Sequence, residues 1–513
     1  MNGESVNHTV EAAFAALRNQ VELHLQTGLP RLLNYLWQPL VPFLMVPTPA
    51  IALIAVNPEK PYCQKEALAA QTITMTPFTD NAVPAVTKPC YFQFPHPMTL
   101  YPLQCIEQKK QCEHNHTRLT VTLKNTNAQR PLLLDQGLQV AVAGSTEFSI
   151  AFWQQLCQCT QVSAAVQQGS TRCLVESIAH QTHAFQDFLP PLLHYALAPE
   201  TLLLIKIQFK APLTVLAGEQ LQLLFEWPDI LDNQQLPTEK IRLILNSTWI
   251  FNCYETDAIP IREPKTRDTH WIQPLQKEVL QSDILSVASL HGMTAHHKQN
   301  ITASLTTYPK STECPASYFA FYEEHRLGLQ LAGDLSEMDW LSLSVWAHQG
   351  DRPFDTYVPG KVAGDLDENP LGWQWELITR CTPAQRNRQL PDQYTDLSWL
   401  SAPLQLFQTE TILREYLALF TIKAPSLLKK IAAIEQIRYE KNQVFSQGMF
   451  QLQCIVHWHM DVRAFESVWD CQLFLQAVYW QVLPLVPYAY QLQFQLTTAT
   501  TRHHWHWPIL KAI

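Results

Sequence analysis

Short segments in which apolar and polar residues alternate run through most of this chain and limit what it can fold into. Within residues 119–123, 205–209 and 221–227, every second position is leucine, isoleucine, valine, phenylalanine or tryptophan. Neighbouring side chains of a β-strand point to opposite faces, so this period of two places the apolar residues on one face. The pattern predicts antiparallel strands with one buried and one solvated face from about residue 50 to 265.

Further segments extend this pattern to the C-terminal end. Additional strands are predicted at 284–290, 341–347, 452–460 and 490–496, and helices at 149–157, 185–197, 411–420, 426–437 and 471–483. In the last predicted strand every outward residue is uncharged, whereas a free sheet edge normally carries charges, so we expect this strand to pair with another. The predicted fold class is α+β, multidomain, with largely antiparallel β-rich domains.

Shifts in this pattern divide the chain of 513 residues into four predicted regions. They are an N-terminal helical arm (1–48), a first β-rich domain (49–265), a second β-rich domain (266–395) and a C-terminal mixed α+β domain (396–513). Three domains beside a short arm agree with the usual relation between chain length and domain count.

The N-terminal arm carries an apolar stripe at helical spacing. The stripe covers a predicted helix at 10–27 and, beyond Gly28 and Pro30, a second helix at about 30–38. Its members are Phe14, Leu17, Val21, Leu25, Leu32 and Leu36. Such a stripe covers either the core of its own chain or a partner helix, and its place near the terminus favours a partner. We predict that these six residues form an assembly interface.

Composition argues against several classes of function. The chain has 36 basic and 45 acidic residues, a net charge of −9, whereas proteins that coat nucleic acid are basic. Glycine is scarce, at 14 residues, although loops that cradle phosphate groups depend on it. Residues 1–10 show no signal peptide, so the 12 cysteines are expected to be reduced thiols of a cytoplasmic protein.

An uncharged stretch at residues 32–58 is long enough to span a membrane but unsuited to doing so. It contains five prolines, each of which removes a backbone donor and disrupts a helix. Hydrocarbon offers no replacement for the lost hydrogen bonds. We therefore predict a buried, extended segment and no membrane span.

The chain contains no motif for nucleotide binding, zinc-protease or serine-hydrolase chemistry, and we predict no catalytic residue and no cofactor. The best candidate metal ligands are Cys105, Cys112, His114 and His116, thiol and imidazole groups that zinc could use. Their spacing matches no zinc finger or ribbon. The prediction is that no metal binds, with a zinc-binding module or metal-dependent enzyme as the alternative.

Two other groups of polar residues invite a chemical interpretation. Residues 365–369 resemble the start of a calcium loop, but Pro370 stands where glycine is required, so a polar turn is predicted. His457 and His459 would share one strand face. That face is interpreted as solvated, with a pH-sensitive or metal-binding role as the alternative.

A series of short segments, in order along the chain, is more informative than any single motif. The segments are Leu29-Pro30-Arg31-Leu32-Leu33-Asn34; Cys90-Tyr91-Phe92-Gln93-Phe94; Leu192-Leu193-His194-Tyr195 with Pro199-Glu200; Asn246-Ser247-Thr248-Trp249-Ile250-Phe251-Asn252-Cys253-Tyr254-Glu255 with Ile259-Pro260-Ile261; and Leu413-Arg414-Glu415-Tyr416-Leu417. Together they resemble the TssF family, which supplies baseplate wedge subunits to the bacterial type VI secretion system. Residues 246–255 are the most specific part, and the sequence leaves open whether they form an interface or an internal packing motif.

The resemblance implies a structural role without a reaction. In that family, two copies join one TssG, the wedge includes TssE, TssK tethers it, and wedges surround the VgrG spike. The expected function is thus a wedge subunit that helps to nucleate the contractile tail, at the cytoplasmic face of the inner membrane. A wedge protein of a phage or tailocin baseplate is the alternative. The family usually has a further helical segment before the position of Val10, so a divergent, shortened N-terminus is expected.

Overall fold

A computed structural model gives the three-dimensional structure of the chain. It describes residues 42–69, 72–77, 89–113, 116–157, 159, 161–167, 169–177, 189–228, 241–262, 264, 269–276, 280, 283–293, 298–303, 316–323, 326–332, 335, 338–365, 372–385, 406–407, 409–446, 449–486, 490–498 and 505–507. Strands predominate, most pairs are antiparallel, and helices are few, which confirms the predicted α+β class.

The chain forms two compact units. The main unit comprises Thr48–Tyr254, His348–Gln385 and Gln393–Ile513, and the smaller unit comprises Met1–Pro47, Glu255–Ala347 and Arg386–Asp392. Strands Gly360–Asp365 and Trp373–Leu377, which the sequence assigns to the second β-rich domain, pair within the main unit.

A closed barrel of six strands belongs to the main unit. In barrel order its strands are Ile51–Pro58, Ser247–Phe251, Cys90–Gln93, Thr72–Pro77, Gly360–Asp365 and Trp373–Leu377. Ile54 lies opposite Thr248 on one side and Leu377 on the other. Residues 51–56 are all buried, which is why the sequence here is continuously apolar. This strand confirms the predicted buried, extended segment for its part of residues 32–58.

An eight-stranded antiparallel sheet forms a second layer of the main unit. Its order is Arg242–Leu245, Leu138–Ala143, Leu204–Phe209, Gly169–Ser177, Gln161–Val166, Gln220–Pro228, His116–Asn125 and Leu103–Glu113. Val121 lies opposite Leu223, and both are buried, as the alternating pattern predicts. Two short ladders complete this region, Glu66–Leu68 with Met98–Leu100 and Leu132–Leu134 with Leu213–Val215.

The C-terminal sheet has the order Ile434–Ser446, Met449–Met460, Tyr490–Thr498 and Trp505–Trp507. Tyr490–Thr498 pairs in parallel with Met449–Met460 and antiparallel with Trp505–Trp507. The expectation that this uncharged strand pairs is therefore confirmed.

The helix predicted at 426–437 is correct only in its first half. The helix covers Leu427–Ala432, and strand Ile434–Ser446 follows at once. The ladder is irregular between Ile434 and Gln436, and the extra residue there turns both Ile434 and Ile437 inward. These two inward residues are three positions apart, which is also the spacing of one helical turn. This spacing explains the wrong prediction.

Four other predicted helices are confirmed where they are described, and one short helix, Arg352–Thr356, was not predicted. They are Thr146–Cys157, Pro191–Leu197, Arg352–Thr356, Glu410–Thr421 and Val468–Val482, with short 3-10 turns at Pro42–Leu44, Pro199–Leu202, Val462–Ala464 and Leu483–Leu485. The Ser467 hydroxyl accepts a hydrogen bond from the backbone N–H of Asp470 and caps the last helix. None of the helices among the described residues is both long and apolar enough to cross a membrane.

Two sheets form most of the described part of the smaller unit. The first contains Tyr254–Asp257, Trp340–Ala347, Ile284–Met293 and Lys298–Asn300, with Ile261–Arg262 paired to the second of these. The second contains Thr269–Trp271, Arg326–Ala332, Ser317–Glu323 and Thr302–Ala303. The strands predicted at 284–290 and 341–347 are confirmed as neighbours in the first sheet.

Candidate interaction site

The six predicted interface residues of the arm, Phe14, Leu17, Val21, Leu25, Leu32 and Leu36, lie outside the described residues. The structure therefore does not test the assembly interface, which stays a prediction.

The candidate zinc ligands do not converge as a set. Cys105 and Cys112 both lie in strand Leu103–Glu113, and seven residues of extended chain separate them by roughly 23 Å. His114 and the side chains of Cys112 and His116 are outside the described part. A zinc ion held by all four residues is thus not supported. Within the described ranges, no group of three or more potential metal-ligating side chains comes together.

His457 and His459 share the outward face of strand Met449–Met460, as predicted. The Nε2 atom of His457 lies 3.6 Å from a carboxylate oxygen of Glu440, and that of His459 lies 3.1 Å from Glu435. Each imidazole is directed to its own glutamate on the neighbouring strand. This arrangement is that of a polar sheet face, and the two rings are not directed to a common ligand.

Residues 246–254 are buried throughout, so the most specific segment of the sequence resemblance is an internal packing motif. The Asn246 side chain accepts a hydrogen bond from the backbone N–H of Tyr101 and donates one to its carbonyl, each at 3.0 Å. Asn246 thereby reproduces the two hydrogen bonds of a β-bridge with a side chain. Its φ of +50° lies in the left-handed region, which asparagine tolerates better than most residues.

Asn252 makes a second internal connection from the same segment. Its Nδ2 donates to the carbonyl of Tyr91 at 2.6 Å and to Oε1 of Gln349 at 3.0 Å. Its Oδ1 accepts from the backbone N–H of Gln349 at 2.6 Å. The two asparagines thus join three distant parts of the main unit.

His194, from another segment of the resemblance, is also internal. Its Nε2 lies 2.5 Å from the Thr201 hydroxyl, which in turn donates to the carbonyl of Ala198. Because the hydroxyl proton is used there, Nε2 of the imidazole is the donor to Thr201. Burial lowers the pKa of His194 to about 3, and its ring centroid lies 4.7 Å from that of Trp249.

Lys430, Asp470 and Tyr195 form a polar cluster that joins three helices. The Lys430 ammonium donates to Asp470 at 2.8 Å and to the Tyr195 hydroxyl at 2.6 Å, and Tyr195 donates to Asp470 at 2.5 Å. Burial first, and then the charge of Asp470, raises the pKa of Tyr195, so the phenol keeps its proton. All three groups are engaged with one another, which suits a structural connection.

The thiols are arranged for packing and not for chemistry. None of the ten cysteines whose side chains are described forms a disulfide. Burial raises the pKa of Cys90 to about 11 and that of Cys381 to about 12. Both thiols are therefore neutral at physiological pH, and a neutral thiol is a weak nucleophile.

One concave site opens on the surface of the main unit, with a volume of about 230 Å³. It is lined by Gln64, Lys65, Pro102, Asn127, Arg130, Pro131, Leu132 and Leu133. Two cations and several apolar groups therefore face the same space. This combination fits a polypeptide segment better than a small charged substrate.

The model of the type VI secretion system TssF family matches residues 10–359, which is more than half of the chain. The chain belongs to the TssF family. The resemblance seen in the sequence is thereby confirmed, together with the expected structural role in the secretion baseplate.

Two solved type VI secretion structures share the fold. A chain of the TssK-TssF-TssG baseplate subcomplex, determined by cryo-electron microscopy, has 14% sequence identity and a TM-score of 0.71, with 98% of each chain covered. A chain of a type VI baseplate complex has 12% identity and a TM-score of 0.53, with 95% of this chain and 89% of that one covered. Comparison with curated proteins gives no match.

Sequence reasoning does not find the connections that hold this TssF-family fold together. Tyr195 and Asp470 are 275 positions apart, so no local pattern pairs them. The spacing of Ser467 and Asp470 does indicate a helix start, which would place Asp470 in a first helical turn. Arg130 belongs to no sequence motif, and only its position in the lining of a pocket distinguishes it from the other arginines.

Proposed function

We propose that the chain is a wedge subunit of a type VI secretion baseplate that contacts TssG and TssK directly. The observation that carries this proposal is the shared fold over 98% of both chains with a member of a TssK-TssF-TssG subcomplex. Internal hydrogen bonds involve most of the distinctive polar residues, as expected of a rigid part and not of a catalyst. No reaction is proposed.

The finer arrangement follows the family. A second copy of the chain and TssE complete the wedge, VgrG lies at the centre of the assembled baseplate, and the whole is at the cytoplasmic face of the inner membrane. The arm at residues 1–48 is the proposed assembly element, and its apolar stripe is the proposed seam with the partner helices.

The test is co-expression of the full chain with TssG and TssK from the same bacterium. A stable complex after affinity purification and size-exclusion chromatography is expected, and cryo-electron microscopy should show two copies of the chain for each TssG. Purification of the chain alone, with both partners expressed and soluble, would contradict the proposal.

A further inference from the structure

The surface pocket of the main unit is not part of the internal connections described above. Among the described residues that line it, the charged ones are Lys65 and Arg130, both basic. The two cations differ in how far other groups of the chain already compensate their charge.

Lys65 is engaged within the chain. Its ammonium forms a short ion pair with Asp135, and it lies 5.6 Å from the centroid of the Tyr101 ring. A carboxylate and an aromatic face together compensate most of its charge. Lys65 therefore contributes little attraction for a further anion.

Arg130 is not neutralised. One guanidinium nitrogen, Nη1, donates to the side-chain oxygen of Gln64 at 3.1 Å. The remaining guanidinium N–H groups have no partner among the residues that the structure describes. A guanidinium offers five donors in a planar fork that matches a carboxylate, so Arg130 retains the capacity for a paired contact.

Two buried asparagines fix the backbone that carries Arg130. Oδ1 of Asn127 accepts from the backbone N–H of Arg130 at 2.9 Å. Nδ2 of Asn125 donates to the carbonyl of Arg130 at 3.3 Å and to that of Leu216 at 3.1 Å. The turn is therefore held before any partner arrives, which lowers the entropy lost on binding.

Apolar residues share the lining of the pocket with this cation. Leu132 and Leu133 both line it, and Leu133 is 47% exposed. Pro102 and Pro131 add further apolar surface. A guanidinium with unused donors, beside leucine and proline side chains in the same pocket, matches an acidic residue that has apolar neighbours.

We propose that this pocket receives an aspartate or glutamate side chain, flanked by apolar residues, from a baseplate partner protein. The inference rests on the proposed function and names a contact surface for it outside the N-terminal arm. Nucleic acid is disfavoured as the ligand, because it is bound through several cations and not through a single available guanidinium.

The first experiment compares Arg130→Glu with Arg242→Glu in the co-expressed complex with TssG, TssK and TssE. Arg242 is an exposed arginine of the same unit outside the pocket, so it controls for the added charge. Arg130→Glu should weaken recovery of the complex at least tenfold with an unchanged Tm of the isolated chain, and Arg130→Lys should weaken it less. Arg242→Glu should behave as the wild type.

The outcomes separate this inference from the proposed function. If the wild-type chain forms no complex, the proposed function fails. If it does, and Arg130→Glu assembles equally well, the pocket is not a partner site and the inference is wrong.

A photo-crosslinking amino acid in place of Leu133 gives a test that does not depend on the folding of an Arg130 variant. In the assembled complex, mass spectrometry should locate the crosslink within a few residues of an aspartate or glutamate of a partner. A large excess of inorganic phosphate should leave this crosslink in place, because the apolar neighbours of the acidic residue also contribute to binding. Crosslinks only to lipid or nucleic acid, or none to protein, would overturn the inference.

Discussion

At the scale of the residue, buried polar side chains act in place of backbone hydrogen bonds. Asn246 and Asn252 connect segments that are far apart in sequence, and both lie within the most specific part of the sequence resemblance. Their positions explain why this buried segment has a specific sequence: its polar side chains serve internal packing. The sequence of this segment is therefore specific because the fold requires it.

Asn246→Ala should lower the free energy of unfolding by about 3 kcal/mol. Two buried hydrogen bonds contribute about 1 kcal/mol each, and the left-handed backbone costs alanine about 1 kcal/mol more than it costs asparagine. Urea unfolding followed by tryptophan fluorescence measures the change. Asn246→Gly, which removes the hydrogen bonds but tolerates the backbone, should lose about 1 kcal/mol less, and equal losses would contradict the role of the backbone.

His194 should make the protein less stable in mild acid. In the unfolded chain its pKa is near 6.5, whereas in the fold it is about 3, so below pH 6.5 the unfolded state binds one more proton. This stability is complete above pH 6.5 and is lost progressively as the pH falls towards 3.

From pH 7.5 to 5.5, the wild-type chain should therefore lose about 1.4 kcal/mol more unfolding free energy than His194→Gln does. Glutamine keeps a donor for Thr201 but does not titrate. Urea unfolding at the two pH values tests this, and a parallel pH dependence of the two proteins would show that His194 is not responsible.

At the scale of the element, the cluster of Lys430, Asp470 and Tyr195 determines how three helices meet. Asp470→Asn should destabilise the chain by about 2–3 kcal/mol, because Lys430 then keeps its charge in a largely buried place without a counter-charge. Thermal unfolding of the full chain measures this. The double variant Lys430→Met, Asp470→Asn should recover part of the loss, and additive losses would indicate that the two groups are not coupled.

The elements also show where sequence patterns succeed and fail. The alternating strands at 119–123 and 221–227 were predictable because one face is buried and the other is wet. The strand beginning at Ile434 was not, since its irregular ladder produces the spacing of a helix. The spacing of apolar residues shows which side chains face inward. It distinguishes a strand from a helix only when the hydrogen-bond ladder of the strand is regular.

At the scale of the whole molecule, the sequence supported the fold class and the family but not the pairing of distant segments. The barrel takes strands from three separate parts of the chain, and nothing local in Gly360–Asp365 indicates that it belongs beside Thr72–Pro77. The pocket was equally invisible, because the turn at Arg130 meets Gln64 only through tertiary structure. The predicted arm interface lies outside the described residues and remains to be tested.

Replacing Phe14 and Val21 together by glutamate should abolish wedge assembly with TssG. Apolar anchors at an interface typically cost about 2 kcal/mol or more each when lost, and buried charges cost further. Pull-down of TssG by the full chain measures this. Glutamates at Ala12 and Asn19, on the opposite face of the predicted helix, are the matched control. Wild-type recovery of TssG by the Phe14 and Val21 variant would exclude the stripe as the seam.

The barrel has a consequence for biosynthesis. Strand Ile51–Pro58 leaves the ribosome early, yet its two neighbours lie at Ser247–Phe251 and Trp373–Leu377. Roughly 300 residues must follow before the barrel closes, about 15–60 s at 5–20 residues per second. Throughout that interval a largely apolar strand lacks at least one of its two partners. The nascent chain should therefore require a holding chaperone, and its yield should fall when translation outpaces chaperone supply.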